Sequence, residues 1–460
     1  MSDSPSAASL ESLLAAERQA FAARRPRSRE LATQAARHWL SAVPMHWMSD
    51  WGTPFPLYVA EARGATLLDV DGHHYADFCL GDSGAMFGHS PPPIVAALAH
   101  QAARGLTCML PDERVAAVGE QLAHCFGLPF WQVMQSATEA NRAALRWARA
   151  ITARQRILVF QGCYHGAVDE TLVRLRGGRT VAREGAIGAV FDNASATVAI
   201  EFDDLDALER VLGANDIAAV IAEPVMTNVG MVLPQAGLHA ALRELTRRHG
   251  TLLVLDETHT LSSGPGGYRA AAGLAPDLWV CGKAIAGGLP CAVLGFTAEV
   301  EADMRRVLGA RAPGHSGMGT TLAANPLVFA ALEAALAHLH TDSTYAAMRS
   351  SAEQLERGLS ELFTGRALEW HVSRVGARVE FGFGPTPRNG SEAEFAMRPQ
   401  LEHALHLWLL NRGSLVTPFH NMMLAAPMLG QAAVATLCAN VGDFLDAVGP
   451  ATLHAGVNRT

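Results

Sequence analysis

The stretch LLVLDETHT, residues 252–260, decides the fold class of this chain. Four apolar residues lead into two adjacent carboxylates, Asp256 and Glu257, and a short polar segment follows. An apolar run without polar alternation is typical of a strand that is covered on both faces of its sheet. An unpaired charge at the end of such a strand is costly, so the acid needs a partner unless the strand simply reaches solvent there. The rest of the sequence decides between these two interpretations.

Similar apolar runs lie on both sides of this stretch and alternate with helical patterns. The segment 237–250 is one such helix, with Gly250 as its expected C-terminal cap. This alternation predicts an α/β domain with a mostly parallel central sheet, which we assign to residues 93–325. The other apolar runs are RILVFQG at 156–162, AAVIAEP at 218–224, LWVCGK at 278–283 and AVLGFTA at 292–298.

Both ends of the chain are expected to build a second, smaller α+β domain. Its N-terminal part, residues 52–92, contains ATLLDVDGHHYADF, which predicts two strands around a turn at Asp71 and Gly72. Its C-terminal part, residues 326–460, is mainly helical and contains one strand candidate, ARVEFGF at 377–383.

Composition limits the kinds of partner that the chain can have. The 460 residues are 49% hydrophobic and 17% charged, as in a compact globular protein. Residues 1–51 form a predicted N-terminal arm, and its run AARRPRSRE (22–30) is expected to be a solvated helix. With a net charge of −8, we expect no nucleic-acid partner.

Cysteine usage and hydropathy bear on location. The seven cysteines show no paired spacing, which predicts reduced thiols, no metal site and a cytoplasmic protein. No apolar run reaches the roughly 18 residues that a membrane span needs, so no membrane partner is expected. The N-terminal stretch MSDSPSAASLESLL has no basic region followed by an apolar core, and we expect no secretory signal.

Three polar residues fall at the C-terminal ends of predicted strands: Glu223, Asp256 and Lys283. Because ligands of open α/β sheets sit beyond the carboxyl ends of the strands, we expect these side chains to converge. Lys283 is the only lysine in the chain. Arginine serves at every other basic position, so a functional amine is favoured over a chance survivor of an arginine-rich composition. An amine in apolar surroundings can act as a nucleophile toward a carbonyl.

Two further motifs fit a planar, phosphorylated ligand. Ser136, Ala137 and Thr138 lead straight into a helical pattern, where free N–H groups and the helix dipole can bind phosphate. Taken alone, these residues are better explained by an ordinary capped helix start. Tyr164, in GCYHGAVD, offers either a flat face to a ring or a packed loop side chain. Phosphate turn, aromatic, carboxylate and amine together meet the requirements of pyridoxal phosphate (PLP), whose protonated ring nitrogen would give Asp256 its partner.

This ordered set of motifs resembles the class III (ω-type) aminotransferases of fold type I, in the branch with glutamate-1-semialdehyde aminomutases and β-amino-acid aminotransferases. The resemblance runs from about Trp51 to the C-terminus. It implies a PLP-binding large domain and a small domain built from both chain ends. Ser136, Ala137 and Thr138 match the family's phosphate turn, with Ala137 where glycine is usual, and Tyr164 matches its ring-stacking aromatic.

The same resemblance gives roles to the strand ends. Asp256 matches the partner of the pyridine nitrogen, and Lys283 matches the lysine that forms the Schiff base. Glu223 stands in the family's Glu-Pro strand end, and Asn228 stands where a polar group borders the ring. Thr321 matches the threonine that reaches the phosphate of the neighbouring subunit's cofactor, which implies a homodimer with shared active sites.

One departure from the family lies under the ring. Thr258 stands where an apolar residue normally packs, and His259 stands where methionine or glutamine is common. The hydroxyl of Thr258 is expected to bond a local backbone group.

A second departure concerns the substrate. Relatives in this branch hold a carboxylate with arginines in two windows, which here read MHWMSDWG (45–52) and VTPFHNMM (416–423) and contain no arginine. The predicted substrate pocket therefore consists of aromatic and polar side chains, and apolar substrates are favoured. An arginine elsewhere, such as Arg412, is the alternative. The pocket residues are Trp47, Trp51, Phe419 and His420.

We therefore predict a PLP-dependent aminotransferase that moves an amino group from an amine donor to a carbonyl acceptor by a ping-pong mechanism and favours apolar or aromatic substrates. A glutamate-1-semialdehyde-type aminomutase and a β-amino-acid aminotransferase are the alternatives, with the same cofactor residues. A decarboxylase, a racemase and a non-catalytic regulator of this fold are less favoured. No G-x-G-x-x-G follows the first strand, which speaks against a nucleotide-binding oxidoreductase.

Overall fold

A computed structural model of the chain describes residues 10–189 and 191–454. Its α-helices are α1 (Leu10–Arg24), α2 (Pro26–Ala35), α3 (Pro92–Ala102), α4 (Val115–Phe126), α5 (Ala137–Thr152), α6 (Asn193–Ala196), α7 (Leu205–Gly213), α8 (Leu238–Arg248), α9 (Gly267–Ala272), α10 (Ala298–Gly309), α11 (Pro326–His338), α12 (Asp342–Thr364), α13 (Gly390–Phe395), α14 (Pro399–Asn411), α15 (Gln431–Val448) and α16 (Pro450–Leu453). Its strands are β1 (Val59–Arg63), β2 (Thr66–Asp69), β3 (His74–Asp77), β4 (Phe130–Met134), β5 (Arg156–Phe160), β6 (Val173–Arg176), β7 (Arg179–Ala182), β8 (Thr197–Ile200), β9 (Ile217–Ala222), β10 (Leu252–Asp256), β11 (Leu278–Cys281), β12 (Ala292–Phe296), β13 (His371–Val375), β14 (Arg378–Gly382), β15 (Ser414–Leu415) and β16 (Met422–Leu424).

Seven strands form the central sheet, in the order β4-β12-β11-β10-β9-β5-β8. Strands β11, β10, β9, β5 and β8 run parallel to one another. Strand β12 is antiparallel to both β11 and β4. The predicted α/β fold with a mostly parallel sheet is therefore confirmed. An apolar run carries no information on strand direction, so the reversed β12 could not be read from the sequence.

The residues of β10 alternate between two hydrophobic cores. Val254 lies in the core that the sheet shares with α5, whereas Leu253 and Leu255 lie in the larger core on the other face. Successive side chains of a strand point to opposite faces. Asp256 therefore emerges on the α5 side of the sheet, and Glu257 emerges on the opposite side.

The two chain ends meet in smaller sheets. One sheet has the order β1-β2-β3-β15, so it joins residues from near both termini, and the other has the order β13-β14-β16. The predicted hairpin is present as antiparallel β2 and β3, and the strand predicted at 377–383 is present as β14. The predicted division of the chain into four segments stays a prediction. Residues 1–9 of the arm and 455–460 of the C-terminal part lie outside the described residues.

The prediction of a solvated arginine-rich helix is wrong for Arg25. Its guanidinium is buried, donates to Tyr75 Oη at 3.1 Å and to Asn411 Oδ1 at 3.0 Å, and lies 3.6 Å from the Asp69 carboxylate. It also stacks on the Phe21 ring, 4.3 Å from the centroid. Arg25 thus connects the N-terminal helices to β2, β3 and α14. Sequence spacing could not show these contacts, because the partners are far away in the chain.

Within residues 10–189 and 191–454, no helix is long and apolar enough to cross a membrane. In the same part of the chain, no cluster of three or more His, Cys, Asp and Glu side chains is placed to hold a metal ion. The seven cysteines are free thiols, and Cys108 is the one that is exposed. The cytoplasmic location stays a prediction.

Candidate active site

The three strand ends meet at one cavity of about 380 Å³. Strands β9, β10 and β11 are neighbours in the sheet, so Glu223, Asp256 and Lys283 leave it at the same edge. All three line the cavity, as predicted from the position of each residue at the carboxyl end of its strand.

The N-terminus of α5 forms a second wall of this cavity. Ser136 is its N-cap and accepts a hydrogen bond from the Glu139 N–H at 3.2 Å. Ala137 and Thr138 begin the helix and also line the cavity. The substitution of alanine for the usual glycine is tolerated because residue 137 has ordinary helical backbone. The positive end of the helix dipole therefore faces the cavity, as an anion requires.

The predicted phosphate turn is in close contact with Gly166. Its backbone is left-handed, with φ of 81°, and a Cβ placed there would overlap the Thr138 side chain. Thr138 Oγ1 in turn accepts from the Ala167 N–H at 3.1 Å. Only glycine lets this loop pack against the start of α5.

Asp256 is held as a carboxylate by three donors. Asn141 Nδ2 donates to Oδ2 at 2.8 Å, and His165 Nδ1 lies 3.0 Å from the same oxygen. Thr258 Oγ1 donates to Oδ1 at 2.7 Å. Burial alone would raise the pKa of Asp256, but the hydrogen bond and charge of His165 outweigh it and lower the pKa. Burial would likewise lower the pKa of His165, and the bond to Asp256 reverses this and raises it.

Three of these interactions differ from what the sequence predicted. The Thr258 hydroxyl was expected to bond a local backbone group, but it donates to the Asp256 side chain and accepts from the N–H of Gly282, 24 positions away, at 3.3 Å. Asn141 and His165 were not predicted as site residues. For His165 a signal existed, since an imidazole directly follows Tyr164; Asn141, one turn into α5, gave none.

The neighbouring carboxylate, Glu257, faces away from the cavity and has a structural role. It accepts from the N–H groups of Tyr268 and Arg269 at 2.5 and 2.8 Å and from Trp279 Nε1 at 2.9 Å. Burial raises its pKa despite these donors. Because successive side chains of a strand point to opposite faces, Asp256 lies in the cavity and Glu257 lies in the core.

The Lys283 amine lies between an acid and an imidazole. Its Nζ is 2.5 Å from Asp82 Oδ2 and 2.6 Å from His259 Nε2. Burial and the charge of Lys283 lower the pKa of His259 well below its usual value, so the ring is neutral and can accept from the amine. Burial would raise the pKa of Asp82, but the Lys283 charge holds it well below its usual range. Lys283 itself has left-handed backbone, with φ of 51°, a strain often stored at functional sites.

Glu223, Asn228 and Tyr164 complete this side of the site. Glu223 accepts hydrogen bonds from Thr227 Oγ1 and from Asn228 Nδ2, the latter at 2.8 Å. Burial raises the pKa of Glu223. Tyr164 lines the cavity with an exposed ring, and the Arg183 guanidinium lies 5.6 Å from its centroid. The ring is therefore free to contact a ligand rather than packed in a loop.

The predicted substrate residues do not line this cavity. Trp47 and Phe419 are exposed, and Trp51 packs partly buried against the core that contains Phe21. His420 is buried, 2.7 Å from Glu380 Oε1. The roles of these four residues stay predictions.

Thr321 lies outside the cavity as well. It is exposed in a turn before α11, whereas the adjacent Thr320 donates to Gln135 Oε1 at 2.9 Å. Gln135 itself lines the cavity. The segment that carries Thr321 therefore borders the site of its own chain, and its predicted role toward a second subunit stays a prediction.

The residues present fit pyridoxal phosphate. Asp256 is fully buried yet remains ionised, so a cation beside it, such as a protonated pyridine nitrogen, complements the site. The helix N-terminus offers a phosphate position, and Lys283 offers the amine. Fold and site together define a PLP-dependent enzyme of fold type I.

Comparison with known proteins gives the family. The class III aminotransferase family matches residues 47–429, and the chain belongs to this family. It is therefore an enzyme that uses pyridoxal phosphate. The expectation of a class III aminotransferase from the ordered motifs is confirmed.

Individual relatives indicate which members of the family the chain is similar to. The chain is 36% identical over 315 residues to a glutamate-1-semialdehyde 2,1-aminomutase of Roseiflexus castenholzii, covering 67% of this chain and 70% of that protein. A solved glutamate-1-semialdehyde aminomutase from Pseudomonas aeruginosa PAO1 is 47% identical, with a TM-score of 0.93, and 95% of this chain and 98% of that chain are covered. A β-phenylalanine aminotransferase from Variovorax paradoxus is 26% identical, with a TM-score of 0.84 and the same coverage.

Proposed function

We propose that this enzyme exchanges an amino group within one small molecule, an amino aldehyde of the glutamate-1-semialdehyde type. The observation that carries the proposal is the 47% identity to the Pseudomonas aminomutase along 95% of the chain. The cavity that contains Asp256 and Lys283 fits this proposal and the aminotransferase alternative alike, because both kinds of enzyme need these residues to bind the cofactor.

The chemistry assigns a task to each residue of the cavity. The bound cofactor supplies an electron sink for the carbon that loses its proton. Asp256 holds a positive charge opposite its carboxylate, and His165 and Asn141 keep that carboxylate ionised and oriented. Lys283 Nζ moves the proton, while Asp82 and His259 fix its position. Moving the amino group from carbon 2 to carbon 1 turns the amino aldehyde into an isomeric amino ketone, so no separate acceptor is consumed.

The relatives favour this proposal over the preference for apolar amines that the sequence predicted. That preference rests on the two arginine-free windows alone, whose residues do not line the cavity of the described chain. A β-amino-acid aminotransferase remains the second candidate because the Variovorax enzyme shares the fold along 95% of the chain.

One pair of assays separates the candidates. PLP-loaded enzyme is given glutamate-1-semialdehyde without any acceptor, and separately β-phenylalanine with a keto-acid acceptor. Isomer formation in the first assay, in proportion to substrate consumed, supports the aminomutase. Turnover confined to the second assay overturns it in favour of the aminotransferase.

We also propose that the enzyme works as a homodimer with shared active sites. Several large apolar side chains are exposed on the single chain, among them Trp39, Leu40, Met109 and Leu110. Burying them against a second copy of the chain would stabilise a dimer. Light scattering would give the mass of the particle. A monomer at working concentration with full activity would contradict the proposal.

A further inference from the structure

Arg378 is a buried guanidinium with unused hydrogen-bonding capacity. It is the first residue of β14 and only 1% exposed. Its Nη2 donates to Ser83 Oγ. Among residues 10–189 and 191–454, neither Nε nor Nη1 has a hydrogen-bond partner. A guanidinium keeps its proton, so this is a buried charge with idle donors, a costly arrangement unless an anion uses it.

The nearby acids of the protein are occupied by other groups. Asp82 holds the Lys283 amine at 2.5 Å, and Glu380 holds His420 at 2.7 Å. Within the described part of the chain, Arg378 forms no ion pair with any carboxylate. Burial lowers the pKa of Arg378, and the charges of Asp82, Glu380 and Glu223 oppose this effect. Within the described part of the chain, what stays unmet is therefore hydrogen bonding at Nε and Nη1.

The Arg378 guanidinium and the Lys283 amine bond to two consecutive residues. Ser83, the partner of Arg378, directly follows Asp82, which contacts Lys283. Ala377, the neighbour of Arg378 in the chain, donates its N–H to the Ser262 carbonyl at 3.1 Å, three residues after His259. Segments 82–83 and 259–262 thus each contact both Lys283 and residues 377–378.

The segment between Arg378 and the cavity is held in an unusual backbone. Asp82 and Ser83 are both left-handed, with φ of 49° and 78°, and the next residue, Gly84, lines the cavity. Left-handed non-glycine residues are strained and persist where the surroundings impose them. Ser83 and Arg378 are buried and do not themselves line the cavity, so a ligand would reach the guanidinium only if the Ser83 segment moved aside.

We propose that Arg378 binds the carboxylate of the substrate, at the end remote from the reacting carbons. The inference rests on the proposed function, because glutamate-1-semialdehyde carries such a carboxylate. A carboxylate would replace the Ser83 hydroxyl on Nη2 and engage a second N–H in the fork geometry that arginine offers and lysine does not. Arg378 would then provide the contact that the two arginine-free windows lack.

Equilibrium binding tests this role apart from turnover. The probes are 5-aminopentanoate and 5-aminopentanamide, which differ only in the carboxylate, titrated into PLP-loaded enzyme by calorimetry. Wild type is expected to prefer the carboxylate about ten- to a hundredfold, as one charge-assisted contact provides. Arg378→Gln should reduce this preference to near one and leave amide binding unchanged. The matched control is Arg374→Gln on the same hairpin, where the guanidinium already pairs with Glu356, and it should keep the preference.

Arg378→Lys is a second variant, in case Arg378→Gln does not fold. It keeps the positive charge but loses the planar guanidinium that can donate two parallel hydrogen bonds. It should retain the fold and lose most of the preference. A folded Arg378→Gln or Arg378→Lys enzyme with the wild-type preference would overturn the inference, as would a wild type that binds both probes equally. If wild type isomerises glutamate-1-semialdehyde without that preference, the proposed function stands and Arg378 is excluded. If the preference depends on Arg378 but no isomerisation occurs, the role of Arg378 stands and the proposed function fails.

Discussion

Lys283 Nζ lies 2.5 Å from Asp82 Oδ2, although 201 positions separate the two residues in the chain. With the neutral His259 ring 2.6 Å away on the same nitrogen, the amine is held by one charged and one uncharged acceptor. An amine fixed in this way is oriented before any substrate enters, which is how positioning lowers a barrier. Asp82 and His259 therefore belong to the candidate site as positioning residues.

Asp256→Asn should reduce turnover about a hundred- to a thousandfold, since a neutral amide cannot stabilise the positive charge opposite it in a water-excluded site. Steady-state turnover of PLP-loaded enzyme measures the loss. Glu257→Gln is the matched control, because Glu257 is next in sequence but bonds to Tyr268, Arg269 and Trp279. It should lower stability while each folded molecule keeps its rate. Equal losses of turnover in both variants would contradict the assignment of Asp256.

Gly166→Ala should weaken PLP binding, because the added Cβ overlaps Thr138 at the phosphate turn. The control is Gly178→Ala, which has a similar left-handed φ of 75° but nothing within 4 Å of the added carbon. Both variants carry the backbone strain of about 1–2 kcal/mol, so only the overlap differs. Dissociation constants for PLP from fluorescence titration should rise at least tenfold for the first variant and stay near wild type for the second. Equal dissociation constants for PLP in the two variants would contradict the assignment of Thr138 to the phosphate turn.

The stability of the enzyme should fall between pH 4.5 and 7 because of Glu402. Burial raises the pKa of this carboxyl from 4.5 to about 7, partly offset by the His420 charge. The native state then keeps a proton that the unfolded chain has already lost, so stability present below pH 4.5 is lost as the pH rises through about 7. The full effect is about 3 kcal/mol.

Glu402→Gln should remove this loss, so the variant is expected to be more stable than wild type at pH 8 and similar to it at pH 4.5. Urea unfolding at both pH values and one protein concentration measures the free energies. Glu369→Gln, on an exposed side chain, should leave the pH dependence unchanged. A difference between Glu402→Gln and wild type that is the same at both pH values would show that the Glu402 proton is not involved.

Local patterns were sufficient for one half of the site. The apolar runs predicted β9, β10 and β11, and the rule for parallel sheets then brought Glu223, Asp256 and Lys283 to one edge. The small and hydroxyl residues at 136–138 predicted the start of α5 for the same reason, since caps and helix starts have local signatures.

The other half depends on tertiary contacts that no local pattern reveals. Asp82 follows β3 and Arg378 begins β14, so both belong to the smaller sheets, and they are 201 and 95 positions from Lys283 in the chain. The prediction of apolar substrates rested on the two arginine-free windows. Arg378, in the predicted strand ARVEFGF, was read only as part of that strand. A charge inside an apolar run is the one signal that pointed to it.

The central claim is that Lys283 holds pyridoxal phosphate, and its being the only lysine in the chain makes a direct test possible. PLP-loaded protein is reduced with borohydride, digested and analysed by mass spectrometry, alongside Lys283→Ala. The account predicts a phosphopyridoxyl adduct confined to the peptide with residue 283, no adduct in Lys283→Ala, and loss of turnover in a folded variant. An adduct at another amine, with turnover retained in Lys283→Ala, would contradict it.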